Sequence, residues 1–520
     1  MGYSIDRRDV VSVSLIAFVS LAGFIMGFDT SVISGVKELP AWLERFGYLD
    51  ESGAYTLRTS DESLVVSILS VGTFFGALTS GIFADNFGRR VGIIGACIVF
   101  SAGVAVQVGA SDVPVFAVGR AITGYGLGAM VACVPTYQSE CSPKAIRGAI
   151  VMVSQLTTTI GLLIAAVINQ AVLKLSGNKS WRIPIAIQIG FAGLLCLGML
   201  FLPESPRYYI KRGRNEDALR SLSRLRQRSE TDPQVVEEFQ DMIKNVESSR
   251  MHNSSYLDCF KQGTNKTRTR ILTGLGFLGV QQLTGINFIF YYGTTFFVRS
   301  GIKDPYLISV LTNVVNVAAT LPAFMLIERA GRRPLLIWGA FFLAVFQLVI
   351  AIAGVTLSVT NITGQRMLVA FVFLYVSAFA VSWGPIAWVL NAEMFPLAVR
   401  AKGISMTNAC NWAVNFAIGY SVPYLVNERE AGGAGLGARV YFLWGSLSIF
   451  CCLYAYFFIP ETKGLSLEQV DMLFLNTTPR RSAGYRDQLI ASGDVSFPHH
   501  STSETSSDPE KASVKLATSK

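Results

Sequence analysis

The chain has 520 residues, of which 51% are hydrophobic and 15% charged, and its mean hydropathy is +0.43. The apolar residues form long blocks, and a soluble protein of this size cannot bury so much apolar surface, so the composition indicates a membrane protein with many spans. The net charge of +9 does not indicate nucleic-acid binding, because the basic residues lie in short loops between apolar blocks, where they set membrane orientation.

Cysteine and histidine exclude several kinds of site. The eight cysteines are scattered without a metal-ligand spacing, so we predict neither a disulfide framework nor a metal site. The three histidines, His252, His499 and His500, lie in polar segments, which excludes histidine as an intramembrane proton carrier. No nucleophile with a base and no phosphate-binding loop is found, so the sequence does not predict an enzyme.

The first part of the chain holds six predicted spans. Residues 1–11 are polar and have no signal-peptide cleavage pattern, so we expect a cytoplasmic N-terminus before a retained first span. A bilayer core requires about 20 apolar residues per helix. On that rule the N-terminal half, 12–202, contains spans at 12–34, 64–84, 91–109, 114–137, 148–171 and 183–202.

A charged segment, 203–269, separates these spans from six more. Its helical periodicity predicts short helices on the cytoplasmic face. The remaining segment, 460–520, is expected to be a cytoplasmic tail, and its Ser, Thr, Lys and Asp content predicts disorder from about residue 478. The C-terminal half, 270–459, contains spans at 270–296, 305–328, 334–357, 366–390, 401–427 and 438–459.

Basic residues are concentrated in alternate loops. The loops after spans 2 and 8 and the linker are basic, whereas the longest opposite loop, 35–63, is rich in acids. The positive-inside rule therefore places both termini in the cytoplasm. The predicted fold is all-α, with twelve transmembrane helices in two pseudo-symmetric six-helix halves.

The two halves repeat the same charged signatures in the same order, at an offset of about 250 residues. Internal repeats of this kind are typical of transporters that expose one site alternately to the two sides of a membrane. The repeated signatures are Asp85-Asn-Phe-Gly-Arg-Arg with Glu328-Arg-Ala-Gly-Arg-Arg, Glu140 and Arg147 with Glu393 and Arg400, and Pro203-Glu204 with Pro460-Glu461.

One apolar stretch, Gln281 to Tyr292, carries three amides and two phenols at membrane depth. Hydrocarbon offers no hydrogen-bond partner, so such groups are costly unless something polar meets them. Amides that join neighbouring helices are one explanation, and a site for a neutral, hydroxyl-rich solute is the other. Gln282 and Asn287 would lie about 140° apart on a regular helix, so both face one ligand only if the helix distorts at Gly285.

Further motifs identify a family. PESPRYY at 203–209, QQLTGINFIFYY, GPIAW at 384–388 and PETKG at 460–464 occur in order together with the two GRR loops. Over about residues 10–475 this set resembles the sugar porter family of the major facilitator superfamily, and most of all the fungal monosaccharide transporters. The resemblance implies the major facilitator fold and the transport of a monosaccharide by alternating access.

Amides at span interiors can meet near the midplane and suit a neutral sugar, because an amide both donates to and accepts from hydroxyl groups. The family places its sugar against a tryptophan that matches Trp388. The resemblance assigns sugar contacts to Gln155, Gln281, Gln282, Asn287, Asn316, Trp388 and Asn411.

The repeated loop charges form a second candidate site. The resemblance implies that they hold the cytoplasmic sides of the two halves together when the sugar site faces outward and separate when it opens inward. Charges that only set topology are the alternative, since an exposed pair contributes about 0–1 kcal/mol. The candidate gate charges are Asp85, Arg89, Arg90, Glu140, Arg147, Glu204, Glu328, Arg332, Arg333, Glu393, Arg400 and Glu461.

Asp29 is the one carboxylate well inside a predicted span, and Arg120 lies at a similar depth in span 4, so the two can pair. A lone charge at mid-bilayer costs about 2.5–3.5 kcal/mol, so a structural pair is one explanation. The resemblance implies the other, because in proton-coupled sugar porters the matching aspartate takes up the proton.

Three functions remain open at this stage: a proton-coupled hexose importer, a passive hexose facilitator, and a glucose sensor that moves no sugar. Sensors of this family tend to have very long cytoplasmic tails, so the short tail favours transport. We expect a monomer in the plasma membrane that has a monosaccharide and the bilayer as its partners, binds no nucleic acid, and needs no cofactor besides protons.

Overall fold

The computed structural model describes residues 14, 16–49, 53–142, 147–250, 259–261, 266–357, 361–396, 399–429 and 431–492. Within them the chain forms two bundles of long helices joined by three short helices, which confirms the predicted fold class. The predicted N-terminal segment 1–11 and the tail beyond residue 492 lie outside the described residues.

The N-terminal half contains six of the ten helical segments in the described residues that are long and apolar enough to cross a membrane. A short helix and a small antiparallel hairpin lie between its first two spans, where only a loop was expected. The elements are α1 (Leu21–Val36), α2 (Pro40–Phe46), β1 (Tyr48–Leu49), β2 (Tyr55–Thr56), α3 (Thr59–Phe87), α4 (Arg89–Gly109), α5 (Val113–Cys141), α6 (Arg147–Val172) and α7 (Lys179–Phe201).

Three amphipathic helices occupy the predicted linker. They are α8 (Pro206–Lys211), α9 (Asn215–Arg226) and α10 (Pro233–Arg250). They share a small apolar core, and Arg226 joins α9 to α10 through Glu238 at 2.7 Å while it donates to the Cys141 carbonyl of α5 at 2.9 Å. The linker is therefore attached to the N-terminal half. We call this end of the molecule the linker end, and the opposite end, which carries α2 and the β1–β2 hairpin, the hairpin end.

The C-terminal half contains the other four apolar segments, and two of its predicted spans are interrupted. The predicted span 270–296 is divided near Gly285 into α11 and α12, and the predicted span 366–390 is divided at Ser382 into α15 and α16. Helices α11 and α12 are each shorter than a span, and the continuous helix α17 carries several amides in its interior, so these helices are not among the four. The elements are α11 (Thr267–Gln282), α12 (Ile286–Arg299), α13 (Pro305–Ala330), α14 (Arg332–Thr356), α15 (Ile362–Val381), α16 (Trp383–Glu393), α17 (Arg400–Val426) and α18 (Val440–Phe458).

Glycines bring α3 and α5 into backbone contact. A Cβ atom added at Gly72 or Gly76 would lie 2.1 Å from a carbonyl oxygen of α5, and one added at Gly124 or Gly128 would lie 2.2 or 2.1 Å from a carbonyl oxygen of α3. Small residues permit such close packing in membranes, where dispersion contacts between helices replace the hydrophobic effect. The two helices thus form one tightly packed unit.

The C-terminal segment differs from the prediction of disorder from about residue 478. Helix α19 (Leu467–Asn476) is followed by a 3-10 turn and by α20 (Ser482–Ser492). Leu489 packs on Met472 and Leu473, and the Ser482 hydroxyl accepts a hydrogen bond from the Glu461 N–H at 2.9 Å. The polar composition of 478–520 gives no sign of these few contacts, which pack α20 against the C-terminal half.

Candidate functional site

The break between α11 and α12 determines where the predicted amides point. Gly285 has φ +76°, a left-handed conformation that L side chains rarely adopt, and a Cβ atom there would lie 2.7 Å from the Trp444 ring. The break brings Gln282, at the end of α11, and Asn287, on α12, into a direct side-chain hydrogen bond. The predicted distortion at Gly285 is confirmed.

The amides of α11, α12 and α17 form one network. Gln282 donates to the Asn411 side-chain oxygen at 2.8 Å, and Asn411 donates to the Gln281 side-chain oxygen at 3.0 Å. Gln281 in turn donates to the Trp383 carbonyl at 3.0 Å, at the junction of α15 and α16. These buried polar groups satisfy one another, which explains how they are tolerated at membrane depth.

A cavity of about 100 Å³ lies between the two halves and beside this network. Its wall combines amides with the rings of Phe290, Phe379 and Trp388, an arrangement that suits a neutral solute with hydroxyl groups on a carbon ring. Met26, Gly27 and Thr30 of α1 complete the wall. The structure brings all seven predicted sugar contacts to this one cavity: Gln155, Gln281, Gln282, Asn287, Asn316, Trp388 and Asn411.

Asn415 also lines the cavity and was missed in the sequence. It donates to the Gln282 side-chain oxygen at 3.2 Å and accepts from Ser70 of α3 at 2.7 Å, so it connects the amide network to the other half. Tyr291 donates to it at 3.3 Å. Asn415 lies four residues after Asn411, on the same helical face, and this spacing could have identified it.

Asp29 and Arg120 form the predicted buried pair. One terminal nitrogen of Arg120 lies 2.8 and 2.9 Å from the two carboxylate oxygens of Asp29, and neither side chain is exposed. Arg120 also donates to the Val65 carbonyl of α3 at 3.2 Å. The pair therefore links α1, α3 and α5, all in the N-terminal half, and it lies next to Thr30 in the cavity wall.

A second buried ion pair lies at the hairpin end and is bonded to the C-terminal half. The Lys37 ammonium lies 2.5 Å from the Glu62 carboxylate, with side chains 1% and 6% exposed. Asn427 of the C-terminal half donates to Glu62 at 2.9 Å and accepts from Arg299 at 2.7 Å. We call Lys37, Glu62, Arg299 and Asn427 the hairpin-end cluster. It was missed because Lys37 and Glu62 lie at span ends, where charges are usually solvated.

Further contacts join the halves at this end. Tyr306 donates to the Gly35 carbonyl at 2.9 Å, and the Lys37 ammonium lies 3.9 Å from the centre of the Tyr292 ring. Thr295 donates to the Glu38 carboxylate, and burial raises the pKa of that carboxyl above its usual value. Together with the hairpin-end cluster, these contacts close the central cavity towards the hairpin end.

The charges at the linker end of the N-terminal half form a compact cluster. Arg89 pairs with Asp85 at 2.9 Å and with Glu140 at 3.1 Å. Glu204 accepts from the backbone N–H groups of Arg89 at 2.9 Å and Arg90 at 3.0 Å, which places its carboxylate at the N-terminus of α4. Burial nevertheless raises the pKa of the Glu204 carboxyl.

The C-terminal half repeats this cluster. Arg332 pairs with Glu393 at 3.1 Å, and Glu461 accepts from the backbone N–H groups of Arg332 and Arg333, both at 3.0 Å, at the N-terminus of α14. Arg400 donates to the Ala392 carbonyl at 2.5 Å. The duplication seen in the sequence is therefore also a duplication of contacts.

These charges were predicted to join the two halves when the sugar site faces outward, and this stays a prediction, because the structure is closed at the hairpin end. The ion pairs described above each lie within one half. Glu328 is exposed on α13, and no ion pair of it is found among the described residues. The side chain of Arg147 lies outside the described residues.

Two helical bundles around a polar cavity at their interface define a membrane transporter. The chain belongs to the sugar transporter family, whose model, "Sugar (and other) transporter", matches residues 15–474. The relatives of this chain are sugar transporters or glucose sensors and not enzymes.

Two curated fungal proteins and one solved structure are similar to the chain. The major facilitator-type transporter ecdD of Aspergillus rugulosus is 42% identical over 92% of this chain and 90% of its own length. The high glucose sensor RGT2 of Saccharomyces cerevisiae is 39% identical over 90% of this chain and 61% of its own length. The proton:xylose symporter XylE bound to 6-bromo-6-deoxy-D-glucose superimposes with a TM-score of 0.74 at 25% identity, over 90% of this chain and 100% of that one.

Proposed function

We propose that this protein imports a hexose, glucose in particular, across the plasma membrane by alternating access coupled to protons. The observation that carries the proposal is the single cavity at which amides from both halves meet Trp388, directly beside the buried Asp29–Arg120 pair. A neutral hydroxyl-rich solute suits the cavity, and a carboxylate paired with arginine at membrane depth suits a proton.

The hairpin end faces the outside of the cell in this proposal. Arg89, Arg90, Arg332 and Arg333 all lie at the linker end, and the positive-inside rule assigns that end to the cytoplasm. The structure then represents the outside-closed stage of the cycle, in which the hairpin-end cluster holds the halves together and the sugar exchanges with the cytoplasm. Rocking of the halves about the central cavity opens the hairpin end for the next sugar.

Protonation of Asp29 is the coupling step. Ionised Asp29 holds Arg120 and so restrains α1 against α5, and a proton on Asp29 removes this attraction and frees α1 to move. Proton entry down the membrane potential supplies about 2.3 kcal/mol per 100 mV. The likeness to XylE, a proton:xylose symporter, supports this assignment.

One alternative has specific support, and a second would use the same cavity. A glucose sensor is suggested by the 39% identity to RGT2, and a passive facilitator would use the same cavity without titrating Asp29. A sensor binds glucose and accumulates none, and a facilitator equilibrates glucose without concentrating it.

The test is the uptake of labelled glucose in a host that lacks hexose transport, at external pH 5 and pH 8 and with and without an uncoupler. We expect uptake that concentrates glucose, that is faster at pH 5 and that the uncoupler abolishes. Asp29→Asn should bind glucose without concentrating it. Concentration by Asp29→Asn would refute the proton assignment, a wild type indifferent to pH and uncoupler would identify a facilitator, and binding without uptake would identify a sensor.

Gln282→Ala should weaken glucose binding to the purified protein, because a sugar hydroxyl loses a buried partner worth about 1–3 kcal/mol. Unchanged binding would remove Gln282 from the site.

A further inference from the structure

A second, smaller cavity lies between the central cavity and the hairpin-end cluster. Its volume is about 20 Å³, and its wall carries no charged side chain. It is lined by Ser31, Ser34, Ala166, Asn169, Ile289, Phe290, Thr294, Phe297, Tyr306, Ser309, Thr312 and Asn313.

Two buried amide oxygens at this cavity have no hydrogen-bond partner. The Asn169 amide nitrogen donates to the carbonyls of Ser31 and Val32, both at 3.2 Å, and that of Asn313 donates to the Ser309 carbonyl at 3.0 Å. Their side-chain oxygens accept nothing, although the two residues are only 3% and 6% exposed. A buried acceptor left empty costs about 1–3 kcal/mol, so a donor is expected at each.

The donor that fits while the hairpin end is closed is a single water molecule. A cavity needs roughly 10–15 Å³ and two to four polar partners to hold one water, and this cavity is lined by Asn169 and Asn313 and by the hydroxyl-bearing Ser34, Thr294 and Ser309. Asn169 belongs to α6 and Asn313 to α13, so the water bridges the two halves.

The small cavity continues the central one towards the hairpin end along the same helices. Thr30, Leu162 and Asn316 line the central cavity, and residues three or four positions away on α1, α6 and α13 line the small one, while Phe290 lines both. Three or four residues correspond to about one helical turn, or roughly 5–6 Å. A solute that moves between the central cavity and the hairpin end therefore passes between Asn169 and Asn313.

We propose that Asn169 and Asn313 form an outer hydroxyl-binding subsite. It holds one water while the hairpin end is closed, and it accepts a hydrogen bond from a hydroxyl group of the entering sugar when the hairpin end is open. An uncharged lining with two free amide oxygens selects a neutral O–H donor over an ion. The sugar part of this inference rests on the proposed function, and the water part does not.

Asn313 is the better residue to change, because its amide nitrogen bonds only within its own helix, whereas Asn169 also holds the backbone of α1. Asn313→Val and Asn313→Thr form a matched pair of equal shape that differs by one hydroxyl group. Threonine keeps an acceptor for the ligand and can donate to the Ser309 carbonyl, as Thr312 does to Ile308.

Glucose affinity should be measured from both sides of the membrane, by uptake into cells and by uptake into inside-out vesicles. We expect Asn313→Val to weaken the external affinity by about two- to ten-fold, the loss of one hydrogen bond, with the cytoplasmic affinity unchanged and Asn313→Thr close to wild type. An unchanged external affinity in Asn313→Val would overturn the sugar subsite. A weaker external affinity together with a stronger cytoplasmic affinity would also overturn it, because that result indicates a changed balance of conformations.

The water is tested separately by a high-resolution experimental structure of the hairpin-end-closed protein. We expect density within hydrogen-bond distance of both amide oxygens in the wild type and its loss in Asn313→Val. An empty wild-type cavity would refute the subsite itself. A wild type that holds the water but moves no glucose would refute the proposed function and not the water site.

Discussion

The two ends of the molecule use charged residues differently. At the hairpin end, the Lys37–Glu62 pair of the N-terminal half is bonded across the interface by Asn427, which donates to Glu62 and accepts from Arg299 of its own half. At the linker end the ion pairs described above close within one half. In the proposed alternating-access cycle, the Asn427–Glu62 bond that crosses the interface must break, whereas ion pairs within a half can remain paired throughout. The hairpin-end cluster therefore controls the balance between conformations, and the linker-end clusters stabilise each bundle.

The largest effect is expected from Glu62→Gln, which leaves Lys37 buried without its counter-charge. Breaking one side of a buried pair costs about 3–5 kcal/mol. Opening of the hairpin end would hydrate the unpaired Lys37, and Asn427 loses its charged acceptor across the interface, so the closed hairpin end should be destabilised. Labelling of a Ser34→Cys probe by an impermeant maleimide from outside should rise sharply, because Ser34 is 5% exposed in the closed state. Glu44→Gln, at an exposed position of the same end, is the control, and equal labelling of the two variants would contradict the assignment.

Glu204→Ala and Glu461→Ala should lower stability without changing the balance of conformations. Each removes a carboxylate that accepts backbone N–H groups at a helix N-terminus, a loss of about 1–3 kcal/mol. Thermal unfolding in detergent should show similar decreases for the two variants, and Ser34→Cys labelling should stay at the wild-type level. A change in labelling would mean that these clusters also cross the interface.

A smaller effect is expected from Glu393→Ala. The Arg332–Glu393 pair lies within one half, and its side chains are 13% and 26% exposed, so its loss should cost about 0–1 kcal/mol. Uptake of labelled glucose should remain near the wild-type rate. A large loss of uptake with normal surface expression would restore the gate role that the sequence suggested.

The smallest effect is a pH dependence at Glu38. Burial raises the pKa of this carboxyl in the closed state, in spite of nearby Lys37 and Arg299, and Glu62 raises it further. When the hairpin end opens, the hydrated carboxyl returns to its ordinary pKa, so the closed state binds the proton more tightly. External acid should therefore favour closure, and closure should weaken as the pH rises through the raised pKa. Ser34→Cys labelling at several pH values should show less pH dependence in Glu38→Gln, and an identical profile would exclude Glu38.

Local patterns in the sequence predicted the geometry around the central cavity well. Gly285 indicated the helix break because 140° separates Gln282 from Asn287 on a regular helix, and the structure contains that break. Depth along the spans likewise predicted that Asp29 and Arg120 could pair. These inferences depend on helical geometry alone, which a sequence determines to within a few residues.

Contacts between distant segments could not be predicted in the same way. Lys37 and Asn427 lie 390 positions apart, and nothing in either neighbourhood specifies the other. The repeated loop charges showed which residues correspond between the halves but not whether each pairs within its half or across the interface. Helix α20 depends on a few contacts made by Leu489, too few to appear in the composition of a polar tail.

Because of the glycine contacts between α3 and α5, these two helices should move together as one rigid unit. With Cβ positions at Gly72, Gly76, Gly124 and Gly128 blocked by opposing carbonyl oxygens, neither helix can slide or roll against the other without a backbone collision. Arg120 lies on α5 and Glu62 lies on α3, so both belong to this rigid unit. In the proposed mechanism, a tilt of α5 that begins when Asp29 gains a proton would therefore move α3 with it and act directly on Glu62 at the hairpin end.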